Sequence, residues 1–483
     1  MQLSVIQRIL GLLLLLFSFT MLPPIFVGLL YNDFSVMPFI EGFFLIFIAG
    51  GLMWFPVRNK KRELRLREGF LVVVLFWVVL GTSGAAPFIF SNELQISFVD
   101  AVFESISALT TTGATVIVGL DDLPKSILFY RQFLQWLGGM GIIVLAVAIL
   151  PLLGIGGIQL YRAESPGPVK DSKLTPRIKG TAKLLWIIYV TFTILCAIAY
   201  YIAGMDVFDA ISHSFSTIAI GGFSTHDASM GYFKSHAIEF VAVIFMLLSA
   251  ANYSLHFLAW RSLSIRPYQT DSEFKVYGLL LAVLSLLTVG FLYFKNIYGT
   301  LSESYFQGIF QVVSIATTTG FTTADYSHWP SFLPVLLILA SFVGGCAGST
   351  GGGMKVIRFL LLFKQGWREV TRLIHPNARI VIKLNKKRVE RDVVQAVWGF
   401  FSIYIGVFVI FMLLLMAAGM NQVSAFSAVA ATLNNLGPGL DAVAANFQKI
   451  NDFSKWLLCL AMLMGRLEIF TLLVVLTPMF WRK

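Results

Sequence analysis

Ten long apolar runs constrain this chain more than any other feature of its sequence. A helix of about 20 apolar residues crosses the roughly 30 Å hydrocarbon core of a bilayer and satisfies its backbone polar groups internally. The runs lie near residues 9–31, 38–57, 69–91, 129–153, 183–204, 237–260, 275–297, 331–362, 394–419 and 454–480. They predict ten spans. The first follows Arg8 but has no small-residue cleavage site after it, so we expect a retained span and not a signal peptide.

Composition agrees with a membrane protein and leaves little room for a soluble body. Hydrophobic residues make up 57% of the chain and charged residues 13%, about half the charged share of a soluble domain. Cys196, Cys346 and Cys459 lie inside apolar runs and form no CxxC pair, so we expect neither disulfides nor a zinc site. The predicted fold class is therefore an all-α polytopic membrane protein.

Basic residues divide unevenly between the two sets of connections. The formal net charge is +11, and 29 of the 36 Lys and Arg fall at the termini or in alternate connections. Basic residues resist translocation, so these connections and both termini are predicted to be cytoplasmic. Binding to nucleic acid is not expected, because no basic run is interleaved with aromatic residues on a soluble module.

The opposite, outward-facing connections contain a fourfold repeat. Each has an apolar segment that is too short to span the membrane, followed by a stretch with glycine. The four copies read FVDAVFESISALTTTGAT at 98–115, VFDAISHSFSTIAIGGFST at 207–225, YFQGIFQVVSIATTTGFTT at 305–323 and VSAFSAVAATLNNLGPGL at 423–440. The predicted unit is span, half-length helix, glycine loop, span. Four such pseudo-symmetric units around one pore occupy 58–160, 161–262, 263–390 and 391–483, after an N-terminal two-helix hairpin over 1–57.

Such loops have the chemistry of a cation site. Irregular backbone at membrane depth is tolerated where it lines an aqueous cavity, and a ring of carbonyl oxygens can replace the hydration shell of a cation. Glycine adopts positive φ at no steric cost, and the C-terminal ends of half-helices are partly negative. The alternative is that the glycines are small-residue packing sites between helices. Four copies on the same side of the membrane favour the pore.

Six motifs together resemble one known family. The loops TTTGAT, IGGFSTH, TTTGFTT and NNLGPG, with GGCAGSTGGGMK at 344–355 and GRLEIFT at 465–471, are similar to those of the Trk/Ktr/HKT superfamily of potassium transporters, in particular its bacterial Trk uptake subunits. The resemblance covers essentially the whole chain. It implies potassium as the transported ion, bound by backbone carbonyls of Thr111, Thr112, Gly113, Ile220, Gly221, Gly222, Thr318, Thr319, Gly320, Asn435, Leu436 and Gly437.

The first and fourth loops differ from the others in features that bear on ion choice. Family members with serine at the first glycine tend to favour sodium, whereas this chain has Gly113. The fourth loop departs from the Thr-Thr-Thr-Gly pattern, which leaves its coordinating atoms open.

A glycine-rich stretch interrupts the second span of the third repeat. Six glycines fall within 344–353, and each costs a helix about 1 kcal/mol relative to alanine, so we expect a break here. A phosphate-binding loop is disfavoured because the GxxxxGK[ST] pattern is absent. The resemblance implies a gate that lies under the filter and obstructs conduction, made by Gly344, Gly345, Gly348, Ser349, Thr350, Gly351, Gly352 and Gly353.

Arg466 is a basic residue inside the last apolar run. A buried charge costs several kcal/mol unless it is paired or faces water. Glu468 is two positions away and would not face it on a helix. This favours an Arg466 that faces the pore and raises the barrier to cations, as the resemblance also implies. An ion pair with another helix is the alternative.

Other polar residues border the loops. His213 and His226 flank the second loop and are expected to bond nearby backbone. Five acids on the outer face could concentrate cations or cap half-helices, namely Asp100, Glu104, Asp206, Asp209 and Asp441. For Asp100 and Asp206 we prefer capping.

The basic segment 355–391 is a candidate contact for anionic lipid headgroups. The resemblance implies another partner, a cytosolic TrkA-like ring that binds NAD and ATP or ADP, as well as a homodimer in the bacterial inner membrane. No nucleotide or other cofactor motif occurs in this chain, so any nucleotide would act through the partner.

Potassium uptake driven by the membrane potential is the leading functional hypothesis, with a coupled proton left open. A sodium-coupled potassium symporter and the potassium-binding subunit of an ATP-driven pump are the alternatives. An enzyme is disfavoured because His, Asp, Glu and Cys do not cluster at one depth of the spans.

Overall fold

Helices account for nearly all regular structure in the computed structural model, which describes residues 3–33, 35–60, 66–148, 178–385, 387–389 and 391–482. The helices are α1 Leu3–Ser18, α2 Leu22–Tyr31, α3 Met37–Trp54, α4 Leu66–Ser83, α5 Ala86–Phe90, α6 Phe98–Leu109, α7 Lys125–Ala148, α8 Ile178–Ile202, α9 Val207–Ala219, α10 His236–Ser249, α11 Tyr253–Ser262, α12 Arg266–Thr270, α13 Ser272–Phe294, α14 Leu301–Ala316, α15 Leu333–Val343, α16 Val356–Ile374, α17 Arg391–Ala417, α18 Gln422–Leu433, α19 Asp452–Arg466, α20 Phe470–Leu476 and α21 Pro478–Trp481. Strand β1 (Lys383–Leu384) pairs antiparallel with β2 (Lys387–Arg388). The predicted all-α polytopic membrane fold is confirmed.

Six stretches of the described residues are long and apolar enough to cross a membrane unbroken: Leu3–Tyr31, Met37–Val57, Arg67–Phe90, Lys183–Ile202, Ser272–Phe294 and Arg391–Ala417. The predicted span over 129–153 begins in α7 but continues past residue 148, outside the described residues. Residues 61–65 and the basic connection over 149–177, with the predicted repeat boundary at 160/161, also lie outside them.

Two runs that were predicted as continuous spans are sharply bent. Helices α10 and α11 meet at 94°, and α19 and α20 meet at 117°. The first bend starts a new helix, because the Asn252 side chain accepts a hydrogen bond from the backbone N–H of Ser254 (2.8 Å). At the second bend Glu468 and Ile469 have φ values of 56° and 53°, which end the helix. Hydropathy alone predicts neither bend, because the apolar pattern continues through both.

The four half-helices predicted between spans are α6, α9, α14 and α18, with 12, 13, 16 and 12 residues. Each is capped by a side-chain oxygen that accepts a backbone N–H from the first turn. The caps are Ser97, Asp206, Thr300 and Asn421. The predicted cap at Asp206 is confirmed.

The capping role predicted for Asp100 was wrong, because Ser97 is the cap of α6. Asp100 lies in the first turn, where its carboxylate accepts a hydrogen bond from Ser97 Oγ (2.9 Å) and pairs with Lys455 Nζ (2.6 Å). The negative charge still lies at the partly positive end of the helix, which is favourable.

Glycines let the C-terminal ends of half-helices approach the neighbouring spans. A Cβ built on Gly138 of α7 would overlap the carbonyl oxygen of Leu109, and one on Gly465 of α19 would overlap that of Leu433. The last turns of all four half-helices are buried. The glycine loops that follow the half-helices therefore begin inside the protein, where neighbouring helices pack against the half-helix ends.

Candidate functional site

The four glycine loops share one backbone conformation. Each has a residue at positive φ two positions before its key glycine: Thr111 at 54°, Ile220 at 55°, Thr318 at 67° and Asn435 at 52°. The key glycines follow at 80° for Gly113, 76° for Gly222, 85° for Gly320 and 101° for Gly437. The residue between them donates its N–H back to the half-helix in every loop: Thr112 to Ser107 (2.8 Å), Gly221 to Ser216 (2.8 Å), Thr319 to Ser314 (2.8 Å) and Leu436 to Ala431 (2.7 Å). Four dissimilar sequences thus adopt the same turn.

The loops also touch one another in a closed cycle. A Cβ built on Gly113 would overlap the carbonyl oxygen of Gly221 in the next loop, and the same holds for Gly222 with Thr319 and for Gly320 with Leu436. The cycle closes because a Cβ on Gly437 would lie 2.7 Å from the carbonyl oxygen of Thr112. Four equivalent carbonyls therefore form one ring, and each lies so close to the key glycine of a neighbouring loop that this glycine has no room for a side chain. The four carbonyls are those of Thr112, Gly221, Thr319 and Leu436. We call this set of loops the glycine ring.

Three of the four loops carry their own polar ties. In the first, Thr110 Oγ1 lies 2.8 Å from Thr112 Oγ1, and in the third the hydroxyls of Thr317 and Thr319 are also 2.8 Å apart. The fourth is tied to the first through Asn435 Nδ2, which donates to Thr112 Oγ1 (2.9 Å). All twelve residues predicted as the filter lie in this ring. Their role as potassium ligands stays a prediction.

The glycine-rich break in the third repeat lies against the base of the ring. Helix α15 ends at Val343, and α16 begins at Val356. Between them, Gly352 N donates to Thr318 Oγ1 (2.7 Å), and Gly353 N donates to the carbonyl of Asn434 (3.0 Å). The predicted interruption of this span is confirmed, and residues 344–355 are called the intramembrane loop below. Its role as a gate stays a prediction.

Thr350 is the polar anchor at the centre of the intramembrane loop. Its buried hydroxyl lies 3.0 Å from the carbonyl oxygen of Ile218 and 3.3 Å from that of Ser249, and its single proton is donated to one of them at a time or shared between them. Ile218 belongs to the second half-helix, and Ser249 lies at the bend between α10 and α11. The intramembrane loop therefore contacts the second half-helix and the third and fourth loops of the glycine ring.

Arg466 connects this loop with the opposite side of the site. Its guanidinium donates to the carbonyl of Thr350 (3.3 Å), to that of Gly138 and to that of Gly139 (3.3 Å). It also lies over the Trp77 ring, 5.6 Å from the centroid. These contacts make Arg466 a brace between the intramembrane loop and α7. Its predicted position in a pore and its effect on conduction remain predictions.

A second group of charges connects the intramembrane loop with the start of α16 and with the bend after α19. Arg358 of α16 forms an ion pair with Glu468, which lies at the bend between α19 and α20. The buried carboxylate of Glu273 accepts the backbone N–H groups of Ala347 (2.7 Å) and Ile357 (3.1 Å). Glu273 therefore clamps the loop and the start of α16 together. No sequence pattern pointed to it, because the contact depends on the fold.

Glu104 was predicted to lie at an outer mouth, and that prediction was wrong. The side chain is fully buried, and its carboxylate pairs with Arg131 Nε at 2.8 Å. It also accepts the hydroxyl of Thr115 (3.0 Å) and the N–H of Val116 (2.9 Å). The residue is a buried support for the first loop, because a carboxylate can accept several bonds at once.

A cluster of histidine and aspartate lies beside the second loop. His226 bonds Asp121 through Nδ1 (2.5 Å) and Asp209 through Nε2 (3.2 Å), so its expected bonding to backbone was wrong. Burial alone would lower the pKa of His226, but hydrogen bonds to the two carboxylates outweigh it, and the pKa is raised above its usual value. His213 bonds the backbone carbonyl of Asp209 (3.0 Å), as predicted, and Ser224 Oγ (2.9 Å).

Comparison with known proteins decides the family. The family model described as TrkH, cation transport protein, matches residues 35–483. The chain belongs to the TrkH family of cation transport proteins. The resemblance predicted from the loop motifs is thereby confirmed, and the chain is a multi-pass membrane transport protein and not an enzyme.

Relatives within the TrkH family match along their full length. The chain is 61% identical over 485 residues to the Trk system potassium uptake protein TrkH of Vibrio parahaemolyticus, covering 100% of both. It is 42% identical to the Trk system potassium uptake protein TrkG of Escherichia coli K12, covering 99% of both. The crystal structure of the potassium transporter TrkH from Vibrio parahaemolyticus superposes with a TM-score of 0.91 at 58% identity, covering 100% of both chains.

Proposed function

We propose that this chain carries potassium into a bacterial cell across the inner membrane, through the glycine ring. The closed cycle of four equivalent loops is the observation that carries the proposal. It is supported by the names of the relatives, which are potassium uptake proteins of Trk systems. In the proposed site, the carbonyls of the twelve ring residues replace the water that a potassium ion loses.

Two features of the chain favour a cation over an anion at this ring. The C-terminal ends of helices carry a partial negative charge, and each of the four half-helices ends at a glycine loop. The rigid backbone turn common to the loops fixes the carbonyls before an ion arrives, so little reorganisation is needed on binding. The proposed selectivity rests on this fixed set of oxygens.

We propose that the intramembrane loop is the gate of this pathway. Support comes from its hydrogen bonds to Thr318, Asn434 and Ile218 at the base of the ring. Arg466 adds a positive charge beside the same loop and braces it against α7. Conduction then requires that the loop leave these contacts, which its six glycines favour.

The proposed regulator is a cytosolic TrkA-like ring that binds NAD and ATP or ADP and docks on the basic segment 355–391. Support comes from the clamp at Glu273, which joins the start of α16 in that segment to the intramembrane loop. We further propose a homodimer with cytoplasmic termini and with anionic lipid at the same basic surface.

Rubidium uptake into vesicles that contain the purified protein tests the proposal. Uptake driven by an imposed membrane potential, in the absence of sodium and ATP, is the expected result. Uptake that requires sodium would favour a symporter, and uptake that requires ATP and further subunits would favour a pump. No uptake with or without the regulatory partner and nucleotide would refute the proposal.

A further inference from the structure

The second loop of the glycine ring is built differently from the others. Its residues Ile220, Gly221 and Gly222 follow Ala219, so none of them has a polar side chain. The hydroxyl ties of the first and third loops and the amide tie of the fourth have no counterpart within it. Two successive glycines also give it the greatest conformational freedom of the four. Beyond the backbone turn that all four loops share, any further support for this loop must therefore come from outside it.

Helix α7 supplies that support through three consecutive contacts. Gln135 Nε2 donates to the carbonyl of Gly221 at 2.7 Å, and Gln132 Nε2 donates to that of Phe223 at 3.0 Å. Arg131 Nη1 donates to the carbonyl of Ser224 at 3.2 Å. All three side chains are at most 1% exposed, so water does not compete for these bonds.

Gln135 makes the contact closest to the ring. Its Oε1 accepts the N–H of Phe223 at 3.2 Å while its Nε2 holds the Gly221 carbonyl, so the amide spans both sides of Gly222. A Cβ built on Gly221 would overlap the Gln135 side chain. The Gly221 carbonyl is also the one that the Gly113 position contacts in the cycle. Gln135 therefore fixes one of the four equivalent carbonyls directly.

The α7 contacts are themselves anchored in the first repeat. Arg131 is paired with Glu104 at 2.8 Å and lies over the Phe223 ring, 4.2 Å from the centroid. Its Nη2 donates to Thr115 Oγ1 at 3.1 Å. A buried network in which Arg131 is bonded to Glu104, Thr115 and Ser224 resists deformation. It transmits the position of the first half-helix to the second loop.

We propose that Gln135 is a positioning residue for ion selection, which sets the second quarter of the ring by orienting the Gly221 carbonyl. The inference rests on the proposed filter role of the glycine ring. A donor at 2.7 Å keeps the oxygen from turning or moving inward toward a smaller ion. Loss of the donor then allows the ring to contract around sodium, and discrimination between potassium-like ions and sodium declines.

Gln135→Met is the direct test, because methionine keeps the length of the side chain and removes the donor. The readout is the ratio of rubidium to sodium uptake in vesicles, at matched protein content. One hydrogen bond is worth a factor of about 2 to 12, so we expect the ratio to fall by about threefold or more. Gln135→Asn keeps an amide but shortens the reach by one methylene, and should lower the ratio in the same direction.

Gln311→Met is the matched control. Gln311 is equally buried and donates to the carbonyl of Ala324 at 2.8 Å, four positions beyond Gly320 and outside the ring. It should leave the ratio unchanged even if total uptake declines. Elution as a single species and a cooperative melting transition well above the assay temperature establish that each variant is folded.

A wild-type ratio in both folded Gln135 variants would overturn the inference. The Gly113→Ser variant distinguishes failure of the inference about Gln135 from failure of the filter proposal. If Gly113→Ser alters the ratio and the Gln135 variants do not, only the role of Gln135 is wrong. If none of them alters the ratio, the glycine ring is not the filter.

Discussion

Thr350→Val removes the polar anchor of the intramembrane loop with almost no change of shape or charge. The single proton of the Thr350 hydroxyl is shared between the carbonyls of Ile218 (3.0 Å) and Ser249 (3.3 Å), which lie in two different structural elements. If the loop closes the pathway, these bonds belong to the closed state and are lost when it opens. Their removal should therefore favour the open state.

The expected change in the ratio of open to closed protein follows from the strength of one hydrogen bond. A buried side-chain hydrogen bond contributes about 0.5–1.5 kcal/mol net, and 1.4 kcal/mol corresponds to a factor of ten in an equilibrium constant. The ratio of open to closed protein should rise by about 2- to 12-fold. Rubidium uptake into vesicles without the proposed regulatory partner, where we expect the closed state to dominate, is the sensitive assay.

Thr288→Val provides the matched control. Thr288 is buried in α13, and its hydroxyl has no hydrogen-bond partner among the described residues. Its replacement should leave uptake unchanged. Equal uptake by wild type, Thr350→Val and Thr288→Val, with all three folded, would refute the assignment of these bonds to a closed gate.

Three further predictions concern charged groups. Arg466→Met should raise uptake more than Arg466→Lys, because lysine keeps the positive charge. Both variants lose the forked guanidinium contacts, whose charge-assisted bonds are worth about 1.5–3 kcal/mol each. Wild-type uptake in Arg466→Lys would mean that only the charge of Arg466, and not its forked contacts, affects conduction. Glu104→Gln should lower the free energy of unfolding, measured by denaturation, by about 3–5 kcal/mol, because Arg131 loses its buried charged partner. The control Glu93→Gln, at an exposed site, should change it by no more than about 0.5 kcal/mol. His226 has a raised pKa in the folded protein, so its stabilising charge is fully present below the usual pKa of about 6.5 and is lost as pH rises through the raised value. The melting temperature of wild type should exceed that of His226→Gln most at low pH, and a difference that grows with pH would contradict this assignment.

Repetition made the site predictable from sequence. One glycine loop resembles any small-residue packing motif, but four copies between spans identified the half-helices and all four ring glycines. The break at 344–353 was predictable as well, because six glycines destabilise a helix regardless of its neighbours. Asp206 could be assigned as a cap because capping depends on residues close in sequence.

The remaining features depend on contacts between distant parts of the chain. Glu104 appeared to be an outer acid, since its partner Arg131 is 27 positions away and only the fold brings them together. Gln135 gave no signal in the sequence, because its function is defined by the Gly221 carbonyl 86 positions later. Helical spacing does not separate Glu468 from Arg466 as predicted, because α19 ends at Arg466; Glu468 pairs with Arg358 of another helix. Bends at Asn252 and Glu468 were missed because hydropathy does not register a change of direction.

The ratio of rubidium to sodium uptake in Gly113→Ser is the most direct test of the glycine ring as the selectivity filter. A Cβ at Gly113 overlaps the Gly221 carbonyl, so the serine must displace one of the four equivalent oxygens. Gly119→Ser is the control, because Gly119 also has positive φ (73°) but nothing within 4 Å of its Cβ position. We predict that the ratio falls in Gly113→Ser and stays at the wild-type value in Gly119→Ser. A wild-type ratio in folded, active Gly113→Ser protein would contradict the account.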